Sequence, residues 1–283
     1  MTVLDKGGFL GMEHRKDRIG VIGIGSFAPF LVRGLIHSGL RPENIVIGER
    51  GHQSAALGQA LGVNRADPQT IADTAATVII STSSNSARDA IADVRWHDDS
   101  LIVSVCAGVP YSILQAVATP ARVVTSLALN SCEIGASPVL LYPSDPRAAL
   151  FLRRLGEVVP LDTEDQMAPA IALFCLHTWL HRLVQDAEDW GVGAKLPPNT
   201  ARKIAAANLL SAAQILLHNQ DRSPVEQIAA LATPGGISET GLSILARENW
   251  GAPLLKALDA ACTRCMSVGE EVKKFTQTKS SRQ

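Results

Sequence analysis

Arg18-Ile19-Gly20-Val21-Ile22-Gly23-Ile24-Gly25-Ser26-Phe27-Ala28 is the stretch on which the reading of this chain turns. An apolar strand runs straight into a Gly-x-Gly-x-x-Ala turn, and a largely apolar helix over residues 30–38 follows. Pyrophosphate binding needs that order. Gly23 permits the tight turn, Gly25 lets the backbone approach the phosphates, and Ala28 is small enough for close helix–strand packing. Ser26, Phe27 and Ala28 stand where the helix starts and its N–H groups face an anion. A dinucleotide site is expected; a tight strand–helix turn without a ligand is the bland alternative.

Working outward, residues 44–48 read as a second strand, 54–61 as a helix, and 77–81, 101–105 and 122–126 as further strands. A last strand is expected over 138–142. Short apolar runs alternating with helical patterns mean βαβ units and a parallel sheet. From residue 167 the period becomes helical, with helices expected over 167–191, 200–219, 224–231, 238–248 and 253–274. The fold class is therefore α/β, an N-terminal Rossmann dinucleotide-binding domain followed by an all-helical C-terminal domain. Its parts are a polar extension over 1–17, the Rossmann domain over 18–160, a helical substrate and dimerisation domain over 161–274, and a disordered tail over 275–283.

The 283 residues are 46% apolar and 19% charged, which fits a soluble globular enzyme with ample core. A net charge of −1 gives no electrostatic footprint for nucleic acid. No apolar run is read as a membrane span or signal peptide, so a cytoplasmic location is expected. The five cysteines, odd in number, read as reduced core thiols. Cys262-Thr-Arg-Cys265 and the His177, His181 pair have ligand spacings, but neither has a second ligand pair, and no metal is expected.

The residue that ends the second strand of such a fold selects the nucleotide. Glu49 would accept from ribose hydroxyls and argues for NAD. Arg50 and His52 would clamp a 2′-phosphate, and the balance favours NADP, with NAD possible. At the ends of the later strands Ser81, Ser83, Ala107, Gly108 and Asn130 are further cofactor-binding candidates.

Two more stretches go beyond a generic nucleotide fold. Ser104-Val-Cys-Ala-Gly-Val109 and Ala232-Thr-Pro-Gly-Gly-Ile-Ser-Glu-Thr-Gly-Leu242 together resemble the pyrroline-5-carboxylate reductase family. The stretch over 232–242 is similar to that family's signature S-P-G-G-T-T-x-x-G-L, and the spacing to Arg264 in the last helix also fits. The resemblance implies NAD(P)H-dependent reduction of a cyclic imine carboxylate, yielding proline in the type case. Hydride passes to the imine carbon, and a loop hydroxyl, here Ser238, hydrogen-bonds the imine nitrogen. It also implies an intertwined homodimer, or a higher homo-oligomer, with active sites near the subunit boundary.

The loop has a reading of its own. Gly235 and Gly236 are expected to leave N–H groups bare at a helix start, suited to a carboxylate, with Ser238 or Thr233 as the cap. Thr233, Gly235, Gly236, Ile237 and Ser238 are thus the substrate-binding candidates. Departures from the family pattern are equally specific. R-x-M-P-N-T-P becomes Ser126-Leu-Ala-Leu-Asn-Ser-Cys132, Lys-Pro becomes Ser83-Ser84, and G-S-G-P-A becomes Phe174-Cys-Leu-His-Thr178. Phe174 and His177 would fill space that small residues leave open, so Phe174 joins the substrate-binding candidates. His177 reads as a pocket or core side chain, with proton donation as the alternative. Pyrroline-5-carboxylate is the leading substrate. A different imine or keto substrate, or a non-catalytic dinucleotide-binding regulatory protein, stands behind it.

Overall fold

A computed structural model describes Arg15 and residues 17–280, without the side chains of 277–280. The rest of the expected N-terminal extension, and residues 281–283 of the expected tail, lie outside the described residues. Eight strands form one sheet: β1 (Ile19–Ile22), β2 (Ile45–Gly48), β3 (Asn64–Ala66), β4 (Thr77–Ile80), β5 (Leu101–Ser104), β6 (Arg122–Ala128), β7 (Ser137–Tyr142) and β8 (Gly156–Pro160). Their order is β3-β2-β1-β4-β5-β6-β7-β8. Ile19 aligns with Ile45 on one side and Thr77 on the other, and both pairings are parallel. β1, β2, β4 and β5 are buried along their whole length, which is why they read as apolar runs without alternation.

Helices cover both faces: α1 (Ala28–His37), α2 (His52–Leu61), α3 (Pro68–Thr74), α4 (Tyr111–Ala118) and α5 (Pro146–Leu152). Leu31, Leu35, Leu57 and Phe151 pack on the face that carries Val21, Ile47 and Val103. Ile71 and Leu114 pack on the face that carries Val78, Ile80 and Ile102. α1 starts two residues before its predicted start because Pro29 fits the first turn, where no N–H is needed.

Three features of the sheet depart from expectation. β3 and β8 are edge strands, short or polar, and so give no buried-strand signal. β7 runs antiparallel to β6, pairing Thr125 with Tyr142 and Ala128 with Val139. Only residues 129–136 connect the two strands, too few for the crossover that a parallel pair requires.

Arg15 falls within the expected polar extension and is instead buried. Its guanidinium pairs with Asp99 and donates to the carbonyl oxygens of Ala72 (3.0 Å) and Ala75 (3.3 Å) and to Ser100 Oγ (2.7 Å). It therefore closes the amino-terminal edge of the sheet.

The helical region comprises α6 (Met167–Phe174), α7 (Leu176–Gly193), α8 (Pro198–His218), α9 (Pro224–Leu231), α10 (Ile237–Arg247) and α11 (Gly251–Ser280). The single helix expected over 167–191 is two: helical bonding restarts at Cys175, whose carbonyl accepts from the N–H groups of Thr178 and Trp179. By length and composition alone the stretch Glu164–Gly193 is apolar enough to cross a membrane, contrary to the expectation that no run is. α11 also continues through residues expected to be a disordered tail, since its polar end has helix-forming Lys and Glu and no breaker before Ser280.

The chain divides into two compact units. One runs up to Ala172 and resumes at Cys262; the other is Leu173–Ala261. These units part at 172/173 and 261/262, where the sequence expects domain bounds at 160 and 274. The end of α11 belongs with the sheet because Val272 is buried in its core, among Cys106, Val109 and Leu114. In the second unit α7 and α8 pack together, joined by a bidentate pair in which Arg202 donates to both carboxylate oxygens of Glu188 (2.6 and 2.7 Å). Much apolar surface there faces outward, including Trp190, Val225, Leu231 and Ile237, the last 95% exposed. Cys175, Cys262 and Cys265 are only half-buried, so the core-thiol reading fits Cys106 and Cys132 alone.

Candidate active site

The glycine turn behaves as its spacing predicts. Gly23 has φ +93°, and a Cβ there would lie 2.4 Å from Thr82 Cγ2 and 2.8 Å from the Ser81 carbonyl oxygen. No larger residue fits. A Cβ on Gly25 would instead point into open space, its nearest neighbour the Ser81 oxygen at 3.8 Å. That space is where a pyrophosphate would lie, beside the N–H of Ala28 at the start of α1; Pro29 has none, and the Phe30 N–H donates to the Phe27 carbonyl at 3.0 Å. Ser26 is exposed, Phe27 is the N-cap, and Ala28 is fully buried against the sheet.

The other nucleotide candidates gather at the carboxyl ends of the neighbouring strands. This is the crevice where open α/β sheets bind ligands, at the switch in strand order between β1 and β4. Gly23, Glu49, Arg50, Thr82 and Ser86 line a cavity of about 270 Å³. Ser81 is buried, and its N–H donates to the Ile22 carbonyl, so it fixes the loop after β4 from below. Ser83 Oγ donates to Ser86 Oγ at 2.9 Å. Ser84, to which the sequence pattern assigns no role, donates to the Ala107 carbonyl at 2.8 Å and ties the loops after β4 and β5 together. Gly108 has φ +75°, and a Cβ there would meet Val268 of α11 at 2.9 Å. Asn130 is exposed at the start of the turn Asn130–Ile134 that follows β6.

Another residue that sequence reasoning misses is Arg65 on β3. Its Nη2 donates to the Glu49 carbonyl (2.6 Å) and its Nε to Ser54 Oγ (3.1 Å), while Ser54 donates onward to the Gly48 carbonyl (2.5 Å). Recognising β3 would have placed Arg65 beside the end of β2; the strand's shortness and exposure hide it.

A larger cavity of about 460 Å³ lies among β6, α4, α6 and the end of α11, lined by Thr125, Leu127, Glu164, Met167, Met266 and Lys273. Glu164 accepts the Tyr111 N–H at 2.7 Å and so caps α4. Lys273 is held by Glu270 at 2.8 Å, and that hydrogen bond raises its pKa above the ordinary lysine value.

Comparison with known proteins gives matches in both parts of the chain. Residues 164–268 match the model of pyrroline-5-carboxylate reductase dimerisation, and residues 18–108 match that of NADP oxidoreductase coenzyme F420-dependent. Pyrroline-5-carboxylate reductase 3 of Xenopus laevis is 24% identical over 89% of this chain and 96% of its own. In both parts the chain is similar to proteins of the pyrroline-5-carboxylate reductase family. Its fold is that of the pyrroline carboxylate reductase of Plasmodium falciparum with NADP bound (TM-score 0.76, 15% identity, 89% of this chain and 98% of that one). The pyrroline-5-carboxylate reductase from Coxiella burnetii is similar in the same way (TM-score 0.75, 22% identity, 89% and 98%).

The family's Pro-Gly-Gly loop lies in the Leu173–Ala261 unit and opens α10. Two expectations about it are corrected. The Gly235 N–H is not bare, because Glu239 Oε2 accepts it at 2.5 Å, and the Gly236 N–H donates to the Thr233 carbonyl at 2.9 Å. Neither Ser238 nor Thr233 caps the helix; Gly236 is the N-cap, and Ser238 is the second residue of α10. The Ser238 hydroxyl is exposed and makes no hydrogen bond among the described residues, so it is free to meet a ligand. The N–H groups of Ile237, Ser238 and Glu239, in the first turn, are the donors that remain among the described residues.

Phe174 ends α6 and His177 lies in the first turn of α7, both half-buried. His177 stacks edge-on with His181, ring centroids 4.8 Å apart, and His181 Nδ1 lies 2.7 Å from the His177 carbonyl. Burial, and then the neighbouring His181, push the pKa of His177 below the ordinary histidine value. The neutral ring therefore dominates at pH 7, which weakens the case for His177 as a proton donor. Among the described residues no third metal-binding side chain joins the pair.

Proposed function

We propose that this chain is an NADPH-dependent reductase of a carbon–nitrogen double bond, with 1-pyrroline-5-carboxylate as substrate and proline as product. The observation that carries the reading is the presence of two features in one chain. One is a glycine turn with open space over Gly25, and the other is a Pro-Gly-Gly loop that leaves the Ser238 hydroxyl unengaged. The residues fit a dinucleotide: Gly23 and Gly25 give the backbone close approach, α1 offers the N–H of Ala28 at its start, and Arg50 offers a cation for a 2′-phosphate. When bound, NADPH supplies the hydride that reduces the imine carbon. Ser238 holds the ring nitrogen by hydrogen bond, and the N–H groups of Ile237 and Ser238 bind the substrate's polar end. The nitrogen carries its proton into the amine product. The subunits pair as a homodimer, which covers the exposed apolar side chains of the helical unit.

NADPH oxidation with pyrroline-5-carboxylate tests this directly. Rapid turnover is expected, and Ser238→Ala should lower kcat by about 10- to 100-fold with NADPH affinity near wild type. Unchanged turnover in that variant would remove Ser238 from the mechanism. The loop favours a further reading as well. Glu239 places a carboxylate on the Gly235 N–H, where a substrate carboxylate would otherwise bind. An imine without a carboxylate avoids that repulsion, so faster turnover of unsubstituted 1-pyrroline would select this alternative.

A further inference from the structure

We infer that Arg65 is a positioning residue that sets the preference for a nucleotide carrying a 2′-phosphate; this rests on the dinucleotide reading above. The residues that choose between NAD and NADP, Glu49 and Arg50, sit on an exposed turn between β2 and α2, and no side chain caps α2. Gly51, the N-cap, has φ +90°, and the local bond from Ser54 to Gly48 does not reach Glu49, so a neighbour must stiffen the turn there. Arg65 does so from the adjacent strand. One guanidinium spans both ends of the turn, with Nη2 on the Glu49 carbonyl at 2.6 Å and Nε on Ser54 Oγ at 3.1 Å. Ser54 in turn donates to Gly48, which closes a ring of bonds around Glu49 and Arg50. The planar fork of Arg makes two such bonds at fixed separation, and an ammonium does not.

Gly58 shows that the seat is shaped for this side chain. A Cβ at Gly58 would come within 2.8 Å of Arg65 Cδ and 3.2 Å of its Cγ, so the bare helix face accommodates the arginine stem. Arg65 does not line the cavity that Glu49 and Arg50 line, so it acts through the turn and not by contact.

The test is nucleotide binding, measured by calorimetry on the full chain with NADPH, NADH, 2′,5′-ADP and 5′-ADP. Arg65→Met should weaken NADPH and 2′,5′-ADP by about tenfold, the scale of one charge-assisted contact, and leave NADH and 5′-ADP within about twofold. Arg65→Lys should not restore the preference, because it keeps the charge and loses the bridge. Gly58→Ala, which keeps the arginine and displaces its stem, should reproduce part of the loss. Equal weakening of all four ligands would make Arg65 a general support of the fold and overturn the inference. So would an unchanged preference in Arg65→Met, or full rescue by lysine. Wild-type protein that binds neither nucleotide would overturn the dinucleotide reading, and this inference with it.

Discussion

Single residues decide the chemistry here because several of them stand where nothing else fits. Gly25→Val should place a side chain in the open space beside the turn and abolish nucleotide binding, measured by calorimetry, while the fold persists. Ser126 makes the opposite kind of case. By the sequence resemblance it stands at the position of the family's arginine, and its hydroxyl is buried without a partner among the described residues. Ser126→Ala removes an unsatisfied polar group and should stabilise the protein by about 1 kcal/mol, read from chemical denaturation. At this scale the sequence is informative about backbone and poor about side-chain partners. The spacing of Gly23 and Gly25 specifies a turn, so their role is legible. Arg65 and Ser84 act on carbonyl groups 16 and 23 residues away, which no local pattern encodes. The Gly235 N–H is a shorter-range case, since its acceptor Glu239 lies inside the motif without a role that the motif reveals.

Elements show where burial creates signal and where it does not. The strands buried on both faces are legible within a residue or two, whereas β3 and β8, at the two edges, are not. The antiparallel turn of β7 follows from the length of a connection, a signal present in the sequence once both strand ends are known. In the helical unit the Glu188–Arg202 pair links α7 to α8, and its pH dependence can be worked out. The hydrogen bond from Arg202 is the main cause that depresses the pKa of Glu188 below its ordinary 4.5, and the Arg202 charge adds to it. The stability this contributes is whole above pH 4.5 and is lost as the pH falls through the lower, folded value. Glu188→Gln should therefore lower the thermal midpoint at pH 7, and the gap from wild type should close in strong acid.

For the whole molecule the central fact is a helical unit with much apolar surface and little interior. Within Leu173–Ala261 the large apolar side chains Trp190, Leu210, Leu217, Val225, Leu231 and Ile237 are all more than half exposed. A chain that turns this much hydrocarbon outward associates, and the match of residues 164–268 to a dimerisation model agrees. Sedimentation at micromolar concentration should give at least twice the 30.0 kDa of one chain. A stable monomer would contradict the proposed dimer. Composition makes the need for a partner legible, through Ala- and Leu-rich helices too apolar for one flank. It does not reveal that the chain returns to the first unit through α11, because a helix carries no sequence mark of the unit it serves.

The buried Arg15 has a consequence for the order of events during synthesis. Its partners leave the ribosome late: Ala72 is 57 residues further along the chain and Ser100 is 85. Until Asp99 and Ser100 emerge, the guanidinium lacks its side-chain partners. The anchor thus works as a latch that shuts after β5 has been made, and contacts of such sequence separation form slowly. Arg15→Ala should leave the early nascent chain as protease-sensitive as wild type, and should differ only once Ser100 has cleared the ribosome.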